Sequence, residues 1–382
     1  MNFELTPQQK QIQLKVRDFC TRELAPRAQQ NDLKETFAWE AVEGLKKHGL
    51  LGIPFPKEYG GQNLDMVSYC LILEEIGRVD SSVALTVESH NSLCSSHIFI
   101  AGNEEQKKKY IPRLAKGEVL GAWALTEPGA GSDASGIKTR AVQENGHWVI
   151  NGSKTFTTQG SVAGVYVIFA HTSDAMNSQS ISAFVAEKGT PGLQVGKVEK
   201  KMGLHASDTA QLHLTNMKLP KENLLGKPGR AFVDAMKILD AGRVGISGIS
   251  IGMARGALEE GVKWVKERKK KFKIGDSPGL TSAQKFLADL ATEIDAARFL
   301  MLRAAVLCDQ GKPYSKEASM SKLFSGELVM KATTQAIDLF GEYGATLDCA
   351  VQRYFRDSKL YQIGEGSSQI QELIISRHLL SE

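Results

Sequence analysis

The spacing of apolar residues changes period twice along the chain, and this limits the possible folds more than any other feature of the sequence. From the start to about residue 118 the apolar positions recur three or four apart, as they do on one face of an α-helix. Ile12, Val16, Phe19 and Leu24 set the pattern, behind Thr6-Pro7-Gln8-Gln9, a capping-box start with Pro at the first helical position. Helical patterns return at 37–47, 66–78, 81–101 and 104–116, with a Pro/Gly loop at 52–61 between the first two of these. From 121 to about 228 the period becomes that of strands. His147-Trp-Val-Ile150 and Lys154-Thr-Phe-Thr-Thr158 flank Asn151-Gly152, which predicts a hairpin closed by a two-residue turn. Further strands are expected at 165–171, 181–186, 193–198 and 210–214, giving a β domain of six or more strands. From about 229 the helical period returns and holds to the end. A chain of 382 residues is also too long for one small core. The expectation is an α+β protein in three parts: an N-terminal helical domain at 1–120, a middle β domain at 121–228 and a C-terminal helical bundle at 229–382.

Within the last part, Gly242, Gly245, Gly248, Gly252 and Gly256 fall on one face of a helix. An interior helical Gly costs ~1 kcal/mol against Ala, so something must come close to that face, and a neighbouring helix is the expected partner for most of these positions.

Several function classes drop out early. No apolar run is long enough to cross a bilayer. The first ten residues have neither the basic-then-apolar form of a signal peptide nor the Arg/Ser richness of a transit peptide. The five cysteines are scattered, without metal-ligand or redox spacing, as expected of reduced thiols in the cytoplasm; a mitochondrial matrix location would require a transit peptide already removed. A net charge of +4 without a basic, aromatic-interleaved patch does not indicate nucleic acid. Gly129-Ala-Gly131-Ser-Asp-Ala134 matches a loose dinucleotide fingerprint, but strands rather than a helix follow it. Gly248-Ile-Ser250-Ile-Gly252 matches a hydrolase elbow, but inside a long helix. The basic run at 266–273 reads as a solvated helix end.

Three segments carry more information: Trp123-Ala-Leu-Thr-Glu-Pro-Gly-Ala-Gly-Ser132-Asp133, Asn151-Gly-Ser-Lys-Thr-Phe-Thr-Thr158 and Tyr361-Gln-Ile-Gly-Glu365-Gly-Ser-Ser-Gln-Ile-Gln371. With Gly102-Asn-Glu-Glu-Gln106, Tyr110-Ile-Pro-Arg-Leu114 and Leu239-Asp-Ala-Gly-Arg243, their order and separation resemble the acyl-CoA dehydrogenase family over nearly the whole chain. The resemblance implies that family's fold: a helical N-terminal domain, a middle β-barrel or sandwich domain and a C-terminal four-helix bundle. It implies FAD as cofactor, an acyl-CoA thioester as substrate, an electron-transferring flavoprotein as acceptor and a homotetramer. Ser89-His-Asn-Ser-Leu-Cys94 is similar to short-chain and short branched-chain members.

At the level of residues, the resemblance makes Glu365 the base that removes the α proton of the thioester, a step suited to a carboxylate whose pKa is raised by burial. On residue type alone, an acid at this place can equally favour the dipole of the following helix. Gly364 and Gly366 allow close backbone approach, and Ser368 with Gln371 can cap the next helix. In the family the base's own N–H and a ribityl hydroxyl polarise the thioester oxygen. The flavin ring is met by Leu125 and Thr126 on one edge, by Thr157 and Thr158 on the other, and by Phe156 where Trp is usual. Ser132, Asp240, Arg243 and Gly366 match substrate-side positions, although Ser132 and Asp240 can also be ordinary turn or cap residues. Arg268 matches an Arg that meets the flavin pyrophosphate of a partner subunit; Gly341, Ser367 and Gln369 match positions toward the adenine half.

The chain departs from the family at that adenine end. Arg268-Lys-Lys-Lys-Phe272 has one residue more than the usual spacing, a Gln expected near Thr281 is missing, and Asp338 and Glu342 stand where the usual motif is uncharged. Acids beside a phosphate weaken its binding. This supports an alternative: a redox-neutral or non-catalytic acyl-CoA-binding protein with weakened FAD binding. An oxygen-reducing oxidase would differ only in solvent access to the flavin, and nothing in the sequence favours it.

Overall fold

A computed structural model of the chain describes residues 4–272 and 281–381. Thr6 caps the first helix as its sequence predicts, with Gln9 N donating to Thr6 Oγ1 and Thr6 N donating to Gln9 Oε1. The N-terminal helices are α1 (Pro7–Phe19), α2 (Ala25–Lys34), α3 (Trp39–Lys47), α4 (Met66–Gly77), α5 (Ser81–Glu88), α6 (Ser96–Ala101) and α7 (Glu104–Ala115). The expected helix at 81–101 is interrupted. Between α5 and α6, Ser89–Ser95 widens into a π-helical turn, a local distortion common at functional sites. The turn is anchored to the β region by His90, whose Nδ1 accepts from Gly121 N while its Nε2 faces Leu51 O and Leu114 O.

The β region holds β1 (Gly121–Ala124), β2 (Arg140–Glu144), β3 (His147–Thr158), β4 (Val165–His171), β5 (Ile181–Glu187), β6 (Leu193–Val198), β7 (Thr209–Pro220) and β8 (Leu224–Leu225). They are linked in the order β6-β7-β3-β2-β4-β5-β8, with β1 parallel to β4. Among the described residues, β2 and β4 are paired at Arg140 and His171, which joins the two halves. Trp148, Ile150 and Leu212 from one half share a core with Tyr166, Ile168 and Phe184 from the other, the packing of a sandwich.

One expectation fails here. Asn151-Gly152 is not a turn: β3 runs straight through it, with a shift in register against β7 between Ile150 and Gly152. The hairpin turn lies at Asn145 and Gly146, both with positive φ (48° and 78°), joining β2 to β3. Both pairs are Asn-Gly; only the first is flanked by strands of matching register, whereas Gly152 supplies a bulge.

The C-terminal helices are α8 (Ala231–Phe272), α9 (Ser282–Asp309), α10 (Ser315–Phe340), α11 (Ala350–Ile363) and α12 (Ser368–Ser381). At 42 residues, α8 is the longest element of the molecule. Its glycine face is filled mainly by α4. A Cβ on Gly248 would stand 2.9 Å from Cys70 O, one on Gly256 2.5 Å from Arg78 O, and one on Gly252 would run into Glu74 O. From the other side, a Cβ on Gly77 would meet Ile249 O at 2.7 Å. Polar bonds reinforce this docking. Tyr354 and Tyr361 on α11 donate to Arg78 O and Ser81 O, and Asp357 accepts from Ser81 Oγ and Leu204 N. Beside the seam, Arg255 and Arg298 pair with Glu74, and Arg17 and Arg255 with Glu75, around a cleft of about 350 Å³. Among the described residues no helix is long and apolar enough to cross a membrane.

Gly252→Ala is expected to lower the unfolding free energy by about 3 kcal/mol, because backbone must move to admit the methyl group. Gly326→Ala, where a Cβ finds only ordinary contact with Tyr361 O at 3.5 Å, is expected to raise it by about 0.5–1 kcal/mol through helix propensity. Denaturant midpoints of the two variants measure both effects.

Candidate functional site

The short link between α11 and α12 carries Glu365, and its backbone is held in an unfavourable conformation. Glu365 has φ 54° and Gly366 φ 100°. A left-handed non-glycine residue costs of order 1–3 kcal/mol and persists only when its surroundings impose it. Here the surroundings are specific. Lys322 of α10, buried, donates from Nζ to Gln362 O at 3.0 Å and to Gly366 O at 2.5 Å, clamping both sides of the link. Gln371 of α12 donates from Nε2 to Gly366 O at 2.9 Å. The expected Ser368 cap does not form. Ser368 Oγ instead donates to Glu327 Oε1 at 2.5 Å, because Ser368 is already the first residue of α12. Gln371 therefore fixes the loop through its side chain rather than through a capping box.

The Glu365 residue is partly exposed as a whole, but its Oε2 is fully enclosed and has no donor among the described residues. The carboxyl occupies the space over Gly242, where any Cβ would collide with it. Burial pushes its pKa above the usual carboxylate value; the neighbouring Glu88 carboxyl and the charges of Arg243 and Lys322 pull it partly back. Burial also lowers Lys322 to about 8, the nearby Glu365 opposing the change. Arg243 is buried, donates from Nη1 to Asp240 Oδ1 at 2.6 Å and leaves its Nε without a partner. Asp240, which also accepts from Ser315 Oγ, lies inside α8 and caps nothing.

A second cluster forms where β1 ends. Thr155 N donates to Thr126 O at 2.9 Å, and Lys154 Nζ reaches Leu125 O at 3.2 Å and Glu127 Oε1 at 2.7 Å. Glu127 also accepts from Lys138 N and from Thr139 N and Oγ1. Burial lowers Lys154 to about 8. Glu127, although itself penalised by burial, is held below the ordinary value by Lys154 and its hydrogen-bond donors, so the pair is ionised at neutral pH. Beyond it the strand bulges. Phe156 has φ 51° and is 63% exposed, while Thr157 is buried with its hydroxyl unpartnered. Leu125, Thr126, Phe156, Thr157 and Thr158 thus stand together. Gln159 Nε2 then donates to Thr86 O, joining this cluster to α5, which ends at Glu88.

Other sequence-predicted positions lie apart. Ser132 is exposed on the 127–136 turn, and Gln369 is exposed on α12. Ser367 accepts from Gln371 N through its carbonyl. Arg268 covers the Trp264 ring at 4.3 Å, and Trp264 stacks on Phe340 and Tyr343, which flank Gly341. Gly341 takes φ 65° and ψ −145°, a conformation essentially reserved for glycine. This end is about 27 Å along α10 from Lys322 at 1.5 Å per residue. The spacing irregularity after Arg268 runs into residues 273–280, outside the described residues.

Two residues of the site escaped the sequence reading. Lys322 gives only a faint signal there. Glu88 gives a clearer one, being the only Asp, Glu, Lys or Arg between Asp80 and Glu104. It is completely buried beside Glu365.

Family models match the three parts of the chain in order: the acyl-CoA dehydrogenase N-terminal domain at 6–118, the middle domain at 122–217 and the C-terminal domain at 229–380. The chain belongs to the acyl-CoA dehydrogenase family. It is 44% identical to a short-chain-specific acyl-CoA dehydrogenase of Clostridium acetobutylicum, over 98% of this chain and 99% of that one. Among solved structures it is similar to butyryl-CoA dehydrogenase from Megasphaera elsdenii (TM-score 0.95, 37% identity, 100% of both chains). A chain from work on the electron transferring flavoprotein of Acidaminococcus fermentans superposes at TM-score 0.96 with 43% identity, again over 100% of both chains. In this acyl-CoA dehydrogenase fold, the β1–β3 cluster and the Glu365 link come from different parts of the chain, and α5 connects them.

Lys154→Met leaves Glu127 buried and unpaired and is expected to cost about 3–5 kcal/mol of stability, whereas Lys154→Met with Glu127→Leu is expected to cost much less. Denaturation of the single and double variants tests this.

Proposed function

We infer that the protein is an FAD-dependent dehydrogenase of short-chain acyl-CoA thioesters, straight or branched, with Glu365 as its catalytic base. The observation that carries this reading is an enclosed carboxyl on a strained, clamped link, faced by Arg243 and Lys322 and joined through α5 to the cluster around Thr126 and Thr157. The similarity to short-chain-specific and butyryl-CoA enzymes over whole chains supports the substrate class.

The residues present fit a flavin. The buried, unpartnered Thr157 hydroxyl offers a hydrogen bond to a polar ring edge, the exposed Phe156 ring offers an apolar cover, and the 125–127 segment is fixed from behind by Lys154. Leu125, Thr126, Phe156, Thr157 and Thr158 would hold the ring. FAD, when bound, accepts the hydride leaving the β carbon. Glu365 takes the proton from the α carbon, and burial makes its carboxylate basic enough to do so while limiting water. Arg243 and Lys322 stabilise its ionised form before the transfer. We assign Asp240, Arg243, Ser132 and Gly366 to the substrate side, as the resemblance implies.

Arg268 and Gly341, at the far end of α10, and Ser367 and Gln369, beside the Glu365 link, are assigned to the adenine half of the cofactor. The separation of Arg268 and Gly341 from the base supports their service to a second copy's cofactor and so a homotetramer. The non-catalytic alternative is not favoured, because the short-chain-specific and butyryl-CoA enzymes match this chain over whole chains. The domain limits proposed are 1–120, 121–228 and 229–382. An electron-transferring flavoprotein is the proposed acceptor, in line with the Acidaminococcus work, and the unpaired thiols suit a cytoplasmic enzyme.

Purified protein is expected to show a visible flavin band that bleaches when butyryl-CoA or isobutyryl-CoA is added without oxygen. A colourless protein that stays colourless with added FAD would sink the reading. Glu365→Gln is expected to retain the fold and acyl-CoA binding and to lose flavin reduction by at least ~10³-fold in a stopped-flow measurement. Sedimentation is expected to give a tetramer, and a monomer would contradict the assignment of Arg268.

A further inference from the structure

Glu88 closes α5 as the chain enters the π-helical turn, and its carboxyl has no place in the mechanism above. Ser92, four residues on and within the wider turn, donates from Oγ to Glu88 Oε1. Glu88 Oε2 is buried without a donor, as is Glu365 Oε2. The two side chains meet over the glycine face of α8. The point where a Gly242 Cβ would stand is in collision with Glu365 Oε2 and only 3.4 Å from Glu88 Oε1, and a Gly245 Cβ would lie 3.2 Å from Glu88 Cγ. Two carboxyls enclosed this closely cannot both ionise, so they titrate as a pair and hold one proton between them. The surrounding charges decide which one keeps it. Arg243 of α8 and Lys322 of α10 act on Glu365, whereas the groups facing Glu88 are Ser92, Glu365 and the phenols of Tyr69 and Tyr361.

We propose that Glu88 is a positioning residue for the base: un-ionised, it donates the shared proton to Glu365 as a hydrogen bond, keeping Glu365 ionised and aimed until an acyl-CoA takes its place. The directions of titration agree. Burial and the neighbouring Glu365 drive Glu88 well above the ordinary carboxylate range, while the bond from Glu88 lowers Glu365.

This rests on Glu365 being the base, and the test separates the two ideas. The loaded holoenzyme is compared as wild type, Glu88→Gln and Glu88→Ala. In ligand-free protein at neutral pH, the infrared carbonyl stretch of an un-ionised carboxyl group is expected in wild type and lost in Glu88→Gln. In the pH profile of kcat/KM for butyryl-CoA, Glu88→Ala removes the donor that lowers Glu365. Its acid limb is therefore expected to move up by about one pH unit, a tenfold loss at the wild-type limb. Glu88→Gln, which keeps an N–H donor and the shape of the site, is expected to keep the limb near its wild-type position. A carboxyl band that survives in Glu88→Gln, or a Glu88→Ala limb that coincides with wild type, overturns the proposal. So does a loss of flavin reduction in Glu88→Gln as complete as that in Glu365→Gln, which would make Glu88 itself the base. Should Glu365→Gln keep reducing flavin, the base assignment fails, yet the infrared result still decides whether the two carboxyls share a proton.

Discussion

The approach of α8 to α4, backbone against backbone, is the contact on which the rest of the molecule depends. Glycines on α8 remove every side chain that would hold the helices apart, and α4 brings its own carbonyls and Gly77 into the gap. The packed helix pair carries α5 and the π-helical turn behind it, and so sets where Glu88 lies relative to the C-terminal helices. At the upper end of the same face the partner changes: Gly242 admits the Glu365 carboxyl rather than a helix. One row of small residues therefore does two jobs, docking the N-terminal helices and making room for the carboxyl of the proposed base.

Around that carboxyl the structure balances desolvation against charge. Enclosure favours the neutral acid, and two cations with one acidic neighbour favour the carboxylate. The strain of a left-handed Glu365 is offset by donors from two separate helices, Lys322 of α10 and Gln371 of α12. Neither Lys322 nor Gln371 needs to touch a substrate to matter, because the direction of the carboxyl follows from the path of the link.

Much of this was legible in the sequence, and the parts that were not have physical causes. Local rules with a single solution held: the Thr6 capping box, the change of period at 121 and 229, and the glycine face of α8. The 123–133 and 151–158 segments and the Glu365 link were legible only as motifs, whose meaning came from resemblance rather than from spacing. Asn151-Gly152 misled because an Asn-Gly pair fits either a tight turn or a bulge, and only the register against β7 distinguishes them. Ser368 misled because a cap and a first helical residue differ by one position. Glu88 could be noticed as a lone charge between Asp80 and Glu104, whereas Lys322 stands among other charges; the role of both depends on a π-helical turn and a folded link that no local pattern announces.

The glycine seam also acts as a ruler. Its contacts are to carbonyl oxygens fixed in α4, so they demand one rotational setting of α8 as well as one distance. A single residue inserted between Gly242 and Gly256 would turn everything beyond it by about 100°, placing a side chain against Glu74 O or Arg78 O. An insertion in the middle of α8 would therefore break the seam, whereas one in a connecting segment would leave it intact.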